Sequence, residues 1–353
     1  MPYYPDRPPG MPFPPEGPPK RDGGRRRLIR LAATALAGLM AVYGSARLIG
    51  YFTELSASRE TSRELRALLE EETGEAPGAA ASAGENAGEA EAGEDSGAAA
   101  SAGENAGEAE TGEDSGAAAS DAENAGEAED AGGEDGIPAV LPKVPYPDNP
   151  KLRVSDRFLK LRRKGPHIIG WFTADGVDEA VVQKDNSFFL THDPLERKNA
   201  NGALFLDERV SLRYRPYTLY VFGHNMKSGH MFGRLRKYKE NAYFYQHQLI
   251  TFDTMYEDGQ YAVFSVIEMD TLPGLARWYD LWALDTEDSA RRAEAIRELE
   301  RRSAVACALD VRADDQLLLM VTCMDGETER LVVAARRLRD GESAEQLTLR
   351  HGR

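Results

Sequence analysis

Short apolar runs of strand length, punctuated by Gly, Pro, Asn and Asp, recur through the C-terminal part of the chain. Eight of them read as strands: residues 168–172, 179–183, 202–206, 218–222, 249–252, 261–268, 317–322 and 331–335. Several are continuous rather than alternating, as in Leu317-Leu318-Leu319-Met320-Val321, the pattern of a strand covered on both faces. Eight such runs suit a mainly-β fold, a β-barrel with inserted helices. One helix is expected over residues 231–239. A second follows from the i, i+3, i+4, i+7 spacing of Leu275, Trp278, Tyr279 and Trp282, and a third is capped by Asp285 and Thr286 and ends near Arg302. Prolines 138, 142, 145, 147 and 150 mark an extended lead-in, so the folded domain is expected to begin near Ile137.

Upstream the pattern changes. Between Arg30 and Arg47 lie sixteen residues without a charge, and the wider span 28–52 has 25 residues, enough for about 30 Å of hydrocarbon. The basic cluster Arg25-Arg26-Arg27 precedes it, which predicts a single-pass anchor with a cytoplasmic N-terminus and the remainder outside the cell. A cleaved leader is the alternative, but no small-residue cleavage site follows the run. Residues 53–72 read as a helix, with Thr61 and Glu64 at capping-box spacing and an apolar stripe of Leu65, Leu68 and Leu69. Then a 19-residue unit beginning at Gly78 recurs at Gly97 with one change, Ala92 becoming Thr111, and a degraded copy starts at Gly116. The unit has no large apolar side chain, so stacked copies would bury nothing; it reads as a disordered spacer rather than a solenoid.

The expected organisation is therefore a Pro-rich, basic cytoplasmic tail (1–27), a transmembrane signal anchor (28–52), a juxtamembrane helix (53–72), an acidic Ala/Gly/Glu spacer (73–136) and a catalytic domain (137–353). The net charge of −16 adds little to this, because residues 67–136 are rich in Asp and Glu and hold no Lys or Arg. The remainder is not strongly acidic, so the balance describes the spacer and not a substrate. A Gly-rich coil of this length spans on the order of 45 Å and would hold the domain off a membrane while tethering it.

Three residues in the barrel region carry candidate chemistry. Cys323 ends the run 317–322, Arg330 opens the run 331–335 across a short polar turn, and His224 follows the run 218–222 after a glycine. A thiol near a guanidinium ionises more readily, and thiolate, imidazole and guanidinium form a nucleophile, acid/base and oxyanion-stabiliser set. Spacing alone leaves a second reading open, in which Cys323 is a small buried residue closing a core strand. Cys307 reads as a packing residue; its pairing with Cys323 would block the nucleophile. His230 reads as a surface helix residue, His192 and His247 as loop or strand-end residues, and Arg336, Arg337 and Arg339 as solvated. No HExxH, CxxC, P-loop or GxGxxG occurs, so no metal and no cofactor is expected. The basic residues are not interleaved with aromatics, and no nucleic acid is expected.

From about residue 149 to 339 the chain resembles the class B sortases, cysteine transpeptidases of Gram-positive cell surfaces. The resemblance is carried by Ile169-Gly170-Trp171 with Val181-Val182-Gln183, by Asp185-Asn186-Ser187-Phe188-Phe189-Leu190-Thr191-His192, and by Asn201-Gly202-Ala203-Leu204-Phe205-Leu206-Asp207-Glu208. It continues in Val221-Phe222-Gly223-His224-Asn225-Met226-Lys227 with Met231-Phe232-Gly233, and in Thr322-Cys323 with Arg330-Leu331-Val332-Val333. Where the family commonly reads Thr-Leu-Ser-Thr-Cys, this chain has Leu319-Met320-Val321-Thr322-Cys323, which loses a Ser to Val321. The resemblance implies a closed eight-stranded sortase-type barrel with an inserted helix between the sixth and seventh strands. It implies that Cys323 attacks the carbonyl after a Thr of a C-terminal sorting signal on a surface protein, of the form NPxT[N/G]. His224 would act as acid and base, Arg330 would hold the oxyanion, and an amine of the peptidoglycan precursor would resolve the thioacyl-enzyme. Asn186, Leu190 and Thr322 would contact substrate. The competing readings are a stalked, non-enzymatic surface-binding module and a cysteine protease with water as acceptor.

Overall fold

The computed structural model describes residues 23–73, 137–323 and 328–343, with side chains throughout except at residues 23–35, 72–73 and Cys323. Most of the expected Pro-rich tail and acidic spacer lies outside the described residues. Two compact units divide after Arg59.

Helix α1 (Gly23–Thr73) runs unbroken through this boundary. It includes the expected span 28–52, yet among the described residues no helix is long and apolar enough to cross a membrane. Gly38, Gly44, Ser45, Arg47 and Gly50 dilute the exposed Leu36, Leu39, Met40 and Val42, so the single-pass anchor finds no support in these residues. Nor does Thr61 start a helix. It lies within α1, and its hydroxyl meets the Asp193 carboxylate at 3.3 Å.

The second unit is a closed barrel. Its strands are β1 (Ile168–Ala174), β2 (Val177–Val182), β3 (Leu204–Leu206), β4 (Thr218–Gly223), β5 (Leu249–Thr254), β6 (Gln260–Asp270), β7 (Leu317–Cys323) and β8 (Glu329–Arg337), in the order β1-β2-β3-β4-β7-β8-β6-β5. All eight runs expected from the sequence are strands. The pairs β2·β3 and β4·β7 are parallel and the rest antiparallel. Parallel pairing of β4 with β7 explains their continuous apolar character: inner faces fill the barrel, and outer faces are covered by inserted segments. The main core holds Leu219, Val221, Leu318, Met320, Val332 and Val333 among others.

A second core lies outside the barrel. Here α1 brings Leu65 and Leu69 against Phe158 and Leu161 of α2 (Asp156–Lys164) and Trp171 of β1. The leucine stripe read from the sequence thus has its partner. Around it Ser62 Oγ donates to Glu179 Oε2 at 2.5 Å, and Arg66 Nη1 lies 3.1 Å from Asp178 Oδ1.

The inserted elements depart from expectation in detail. Residues 275–280 are not helical, and only a 3₁₀ turn, Leu281–Leu284, begins within the expected stretch. Gly274, at φ +90°, breaks the backbone, and the segment folds back so that Arg277 N donates to the Asp270 carboxylate at 3.1 Å. Leu275 and Trp278 are left exposed while Tyr279 is buried. Helix α4 (Ser289–Arg302) ends where predicted, but its cap is Asp288, whose side chain accepts from Arg291 N. Residues 231–239 form a 3₁₀ turn from Gly233 to Lys239, and a short helix α3 (Asn241–Gln246) follows.

The arginines 336, 337 and 339 are not solvated. Arg336 is fully buried and pairs with Glu342 at 2.7 Å, Arg339 pairs with Asp315 at 2.7 Å, and Arg337 meets Glu257 at 3.3 Å. The Arg339–Asp315 pair ties the chain after β8 to the segment that precedes β7, and the Arg337–Glu257 pair ties the end of β8 to the turn between β5 and β6.

Candidate active site

The site forms where strands β4, β7 and β8 end together. In β4·β7 the parallel register aligns Gly223 with Thr322, so the next residues, His224 and Cys323, leave neighbouring strand ends side by side. In β7·β8 the antiparallel register pairs Cys323 with Arg330. The barrel therefore brings the backbones of the three residues singled out in the sequence to one rim, although His224 is about a hundred positions from Cys323.

Gly223 admits His224 to this rim. A Cβ there would lie 2.4 Å from Leu204 Cδ2 and 2.8 Å from the Phe232 ring, so only glycine lets β4 pass. His224 Nε2 is 2.8 Å from the Leu190 carbonyl oxygen. A carbonyl only accepts, so Nε2 is the ring nitrogen that carries the proton in this contact. Leu190 belongs to a 3₁₀ turn, Phe188–Leu190, and its side chain stays exposed.

That turn follows Asn186, which is fixed on both sides. Its Nδ2 donates to Asp207 Oδ2 at 2.9 Å, and its Oδ1 accepts from Glu208 N at 3.0 Å. Burial alone would raise the Asp207 carboxyl, but hydrogen bonds from the Arg209 side chain and backbone outweigh it and hold the carboxyl below its ordinary value. Asn186 is thereby kept in one orientation by an ionised acceptor.

Asn186, Leu190, His224, Thr322 and Arg330 together line a cavity of about 250 Å³. All the expected site residues whose side chains are described thus converge on one hollow. Arg330 Nη1 donates to the Glu329 carbonyl at 2.9 Å. Thr322 is buried, and its Oγ1 has no hydrogen-bond partner among the described residues. The sequence reading missed two apolar walls, Phe205 and Phe222, which stack at 5.5 Å. They are direct cross-strand partners in β3·β4. Both read as core in the sequence, and only the neighbour relation of β3 and β4 turns them toward the hollow. Val321, the departure from the family pattern, also lines it.

Cys307 is a free thiol. Burial pushes its pKa up, and Gln248 Nε2 lies 3.3 Å from its sulfur, which fits packing rather than reactivity. His230 is not on a surface helix: its side chain is 10 % exposed, and Nδ1 lies 3.4 Å from Glu179 Oε1. Among the described residues no group of three or more His, Cys, Asp or Glu could hold a metal ion.

Residues 174–338, most of the barrel, match the family model described as "Sortase domain". The chain is 25 % identical over 207 residues to sortase B of Listeria monocytogenes, covering 56 % of this chain and 81 % of the relative. To sortase B of Staphylococcus aureus it is 26 % identical over 189 residues, covering 52 % and 75 %. A solved S. aureus sortase B–substrate complex aligns with TM-score 0.47 and 24 % identity, over 54 % of this chain and 88 % of that one. A further S. aureus sortase B crystal structure aligns with TM-score 0.48 and 25 % identity, over 53 % and 89 %. The barrel is a sortase domain. More narrowly, the chain belongs with the class B sortases, enzymes of the cysteine-transpeptidase type. The non-enzymatic surface module is thereby set aside.

Proposed function

We propose that this sortase cleaves a C-terminal sorting signal after its Thr and transfers the new acyl end to a cell-wall amine at the cell surface. The signal has the NPxT[N/G] form and the amine belongs to a peptidoglycan precursor. The Cys323 thiolate attacks the carbonyl carbon that follows the Thr side chain. Arg330 donates to the oxygen as charge builds there. The C–N bond breaks, the departing amine takes its proton from His224, and a thioacyl-enzyme remains. An incoming amine then bonds to the acyl carbon, gives its proton to His224, and releases Cys323. The peptide lies along the hollow between Asn186, Leu190 and the Phe205–Phe222 pair.

The observation that supports this reading most is the double register, Gly223 with Thr322 and Cys323 with Arg330. The test combines a sorting peptide with single variants. Cys323→Ala should abolish thioester formation. His224→Ala should stay folded and lose about 10²–10⁴-fold in rate. Arg330→Lys keeps charge but loses the two-pronged fork and should also be severely impaired. Cys307→Ser should keep most activity. Transfer by Cys323→Ala with loss in Cys307→Ser would show the wrong cysteine named, and release to water with no transfer to any amine would favour a protease.

A further inference from the structure

Two loops hold His224, and both are fastened to the same helix. The first, residues 191–199, follows Leu190, whose carbonyl accepts from His224 Nε2. It winds around Asp193, a buried carboxylate that accepts from Leu195 N at 3.0 Å, Arg197 N at 2.9 Å and Arg197 Nε at 2.8 Å. The second, residues 225–231, follows His224 itself. It is closed by the bridge between Asn225 and Met231 and by Phe232 N, which donates to the His224 carbonyl at 3.0 Å. Each loop contains a residue other than glycine in the left-handed region, Glu196 at φ +62° and Met231 at φ +49°. Such backbone persists only where surrounding contacts fix it.

Contacts of that kind come from α1, from its part after Glu60 that belongs to the barrel's unit. Thr61, Leu65 and Leu69 form one stripe, and Ser62 stands roughly 100° round the helix axis. Seated by its leucines, the helix therefore reaches one loop with each hydroxyl. Thr61 Oγ1 donates to Asp193 Oδ2 at 3.3 Å and accepts from Arg197 Nη2, which grips the first loop. Ser62 Oγ donates to Glu179 Oε2 at 2.5 Å, and Glu179 Oε1 lies 3.4 Å from His230 Nδ1, which grips the second. Thr61, Asp193 and Glu179 are buried, so these contacts form where little water competes. Leu65 and Leu69 also share a core cluster with Phe189, the neighbour of Leu190, and with Phe205, a wall of the hollow.

We propose that Thr61 and Ser62 are positioning residues for His224, acting through the two loops that the helix clasps. The proposal rests on the acid/base role given to His224 above and adds what holds it in place. Thr61 and Ser62 are not among the residues that line the hollow, so their effect has to pass through the backbone on either side of the imidazole. With both loops pinned, the Leu190 carbonyl stays within reach of Nε2, and the ring keeps one tautomer and one tilt. With the hydroxyls removed, both loops gain alternative conformations and the ring is turned away part of the time. Fewer bound peptides then meet a correctly placed proton donor. Peptide binding itself, between Asn186, Leu190 and the Phe205–Phe222 pair, changes little.

Two readouts on the full chain test this. Steady-state cleavage of a sorting peptide separates kcat from KM. Imidazole ¹⁵N resonances of a histidine-labelled chain, assigned with His224→Gln, report the tautomer of His224. Thr61→Val/Ser62→Ala removes both hydroxyls and leaves the leucine stripe in place. It should lower kcat about tenfold with KM unchanged, and turn His224 from a single tautomer, protonated on Nε2, into a mixture. Thr61→Ser and Ser62→Thr, made singly, keep the hydroxyls and should retain kcat and the single tautomer. Ile296→Val, a buried change in α4 that lowers the melting temperature without touching either loop, should leave both readouts unmoved. Unaltered kcat and tautomer in Thr61→Val/Ser62→Ala, or the same losses in Ile296→Val, overturns the proposal. Should the double variant not fold, Ser62→Ala alone is read in the same way. If even the unaltered chain cleaves no sorting peptide while the tautomer still responds to loss of the hydroxyls, the transpeptidase reading fails and the positioning of His224 stands.

Discussion

Glu179 shows how a side chain outside the cavity ties the N-terminal helix to the loop of the acid/base. Its carboxyl is buried between Ser62 Oγ at 2.5 Å and His230 Nδ1 at 3.4 Å, and His230 follows His224 by six positions. Burial pushes its pKa up from 4.5 to about 8; the Ser62 hydrogen bond opposes this, and the charge of Asp178 adds to it. The folded chain therefore holds a proton that the unfolded chain releases near 4.5, and stability from this group is full below that value and lost as pH rises through about 8. Melting temperature should fall as pH is raised from about 5 to about 8, and Glu179→Gln should flatten that decline. An unchanged slope in Glu179→Gln would show that other groups set it. This cluster is not legible in the sequence. His230 reads as a surface helix residue, and Glu179 as the start of a strand, because nothing local marks a carboxylate that tertiary packing will bury.

Among elements, the strands were legible and the insertions less so. A buried strand announces itself by a continuous apolar run, which is why all eight were found and why the ends of β4, β7 and β8 were identified with the site. A 3.6-residue spacing is weaker. Leu275, Trp278 and Tyr279 show it, but Gly274 and the hydrogen bonds to Asp270 decide otherwise. Helices α2 and α3 were not foreseen; both are short, and α2 is mostly charged, so little marks them beyond Phe158 and Leu161. Two element contacts give predictions. Residues 60–73 pack on the barrel through Leu65 and Leu69, so Leu65→Ala should cost about 2–5 kcal/mol by denaturant unfolding, and a chain starting at Ile137 should melt below one starting at Glu60. Helix α4 is fastened by the fully buried Arg292, which donates to the carbonyls of Ala313 at 2.7 Å, Tyr217 at 2.8 Å and Asp315 at 3.1 Å, and to the Thr218 hydroxyl at 2.8 Å. Burial pushes its pKa down to about 10, still well above neutrality, so the charge stays. Arg292→Leu strands these acceptors and should cost about 3–5 kcal/mol; a loss below about 1 kcal/mol would show that water replaces the guanidinium.

At the scale of the whole molecule, the barrel gathers chemistry that sequence distance hides. His224 and Arg330 line one cavity because β7 pairs with β4 on one side and with β8 on the other, a relation that no periodicity in any of the runs encodes. The family resemblance supplied what the patterns could not, since it fixes strand order along with motif order. Among the described residues, the hollow that borders His224 is lined by residues of the barrel unit between positions 186 and 330. The unit of the acidic repeat, built of Gly, Ala, Glu, Asp, Asn and Ser, has no apolar surface with which to complete it. Chemistry on a soluble peptide should therefore be indifferent to repeat number. Removing residues 97–115, one whole 19-residue copy, should leave kcat/KM for the sorting peptide and the melting temperature unchanged. A drop in peptide cleavage on losing that copy would mean that the repeat enters the catalytic unit, and that the barrel by itself is not the complete enzyme.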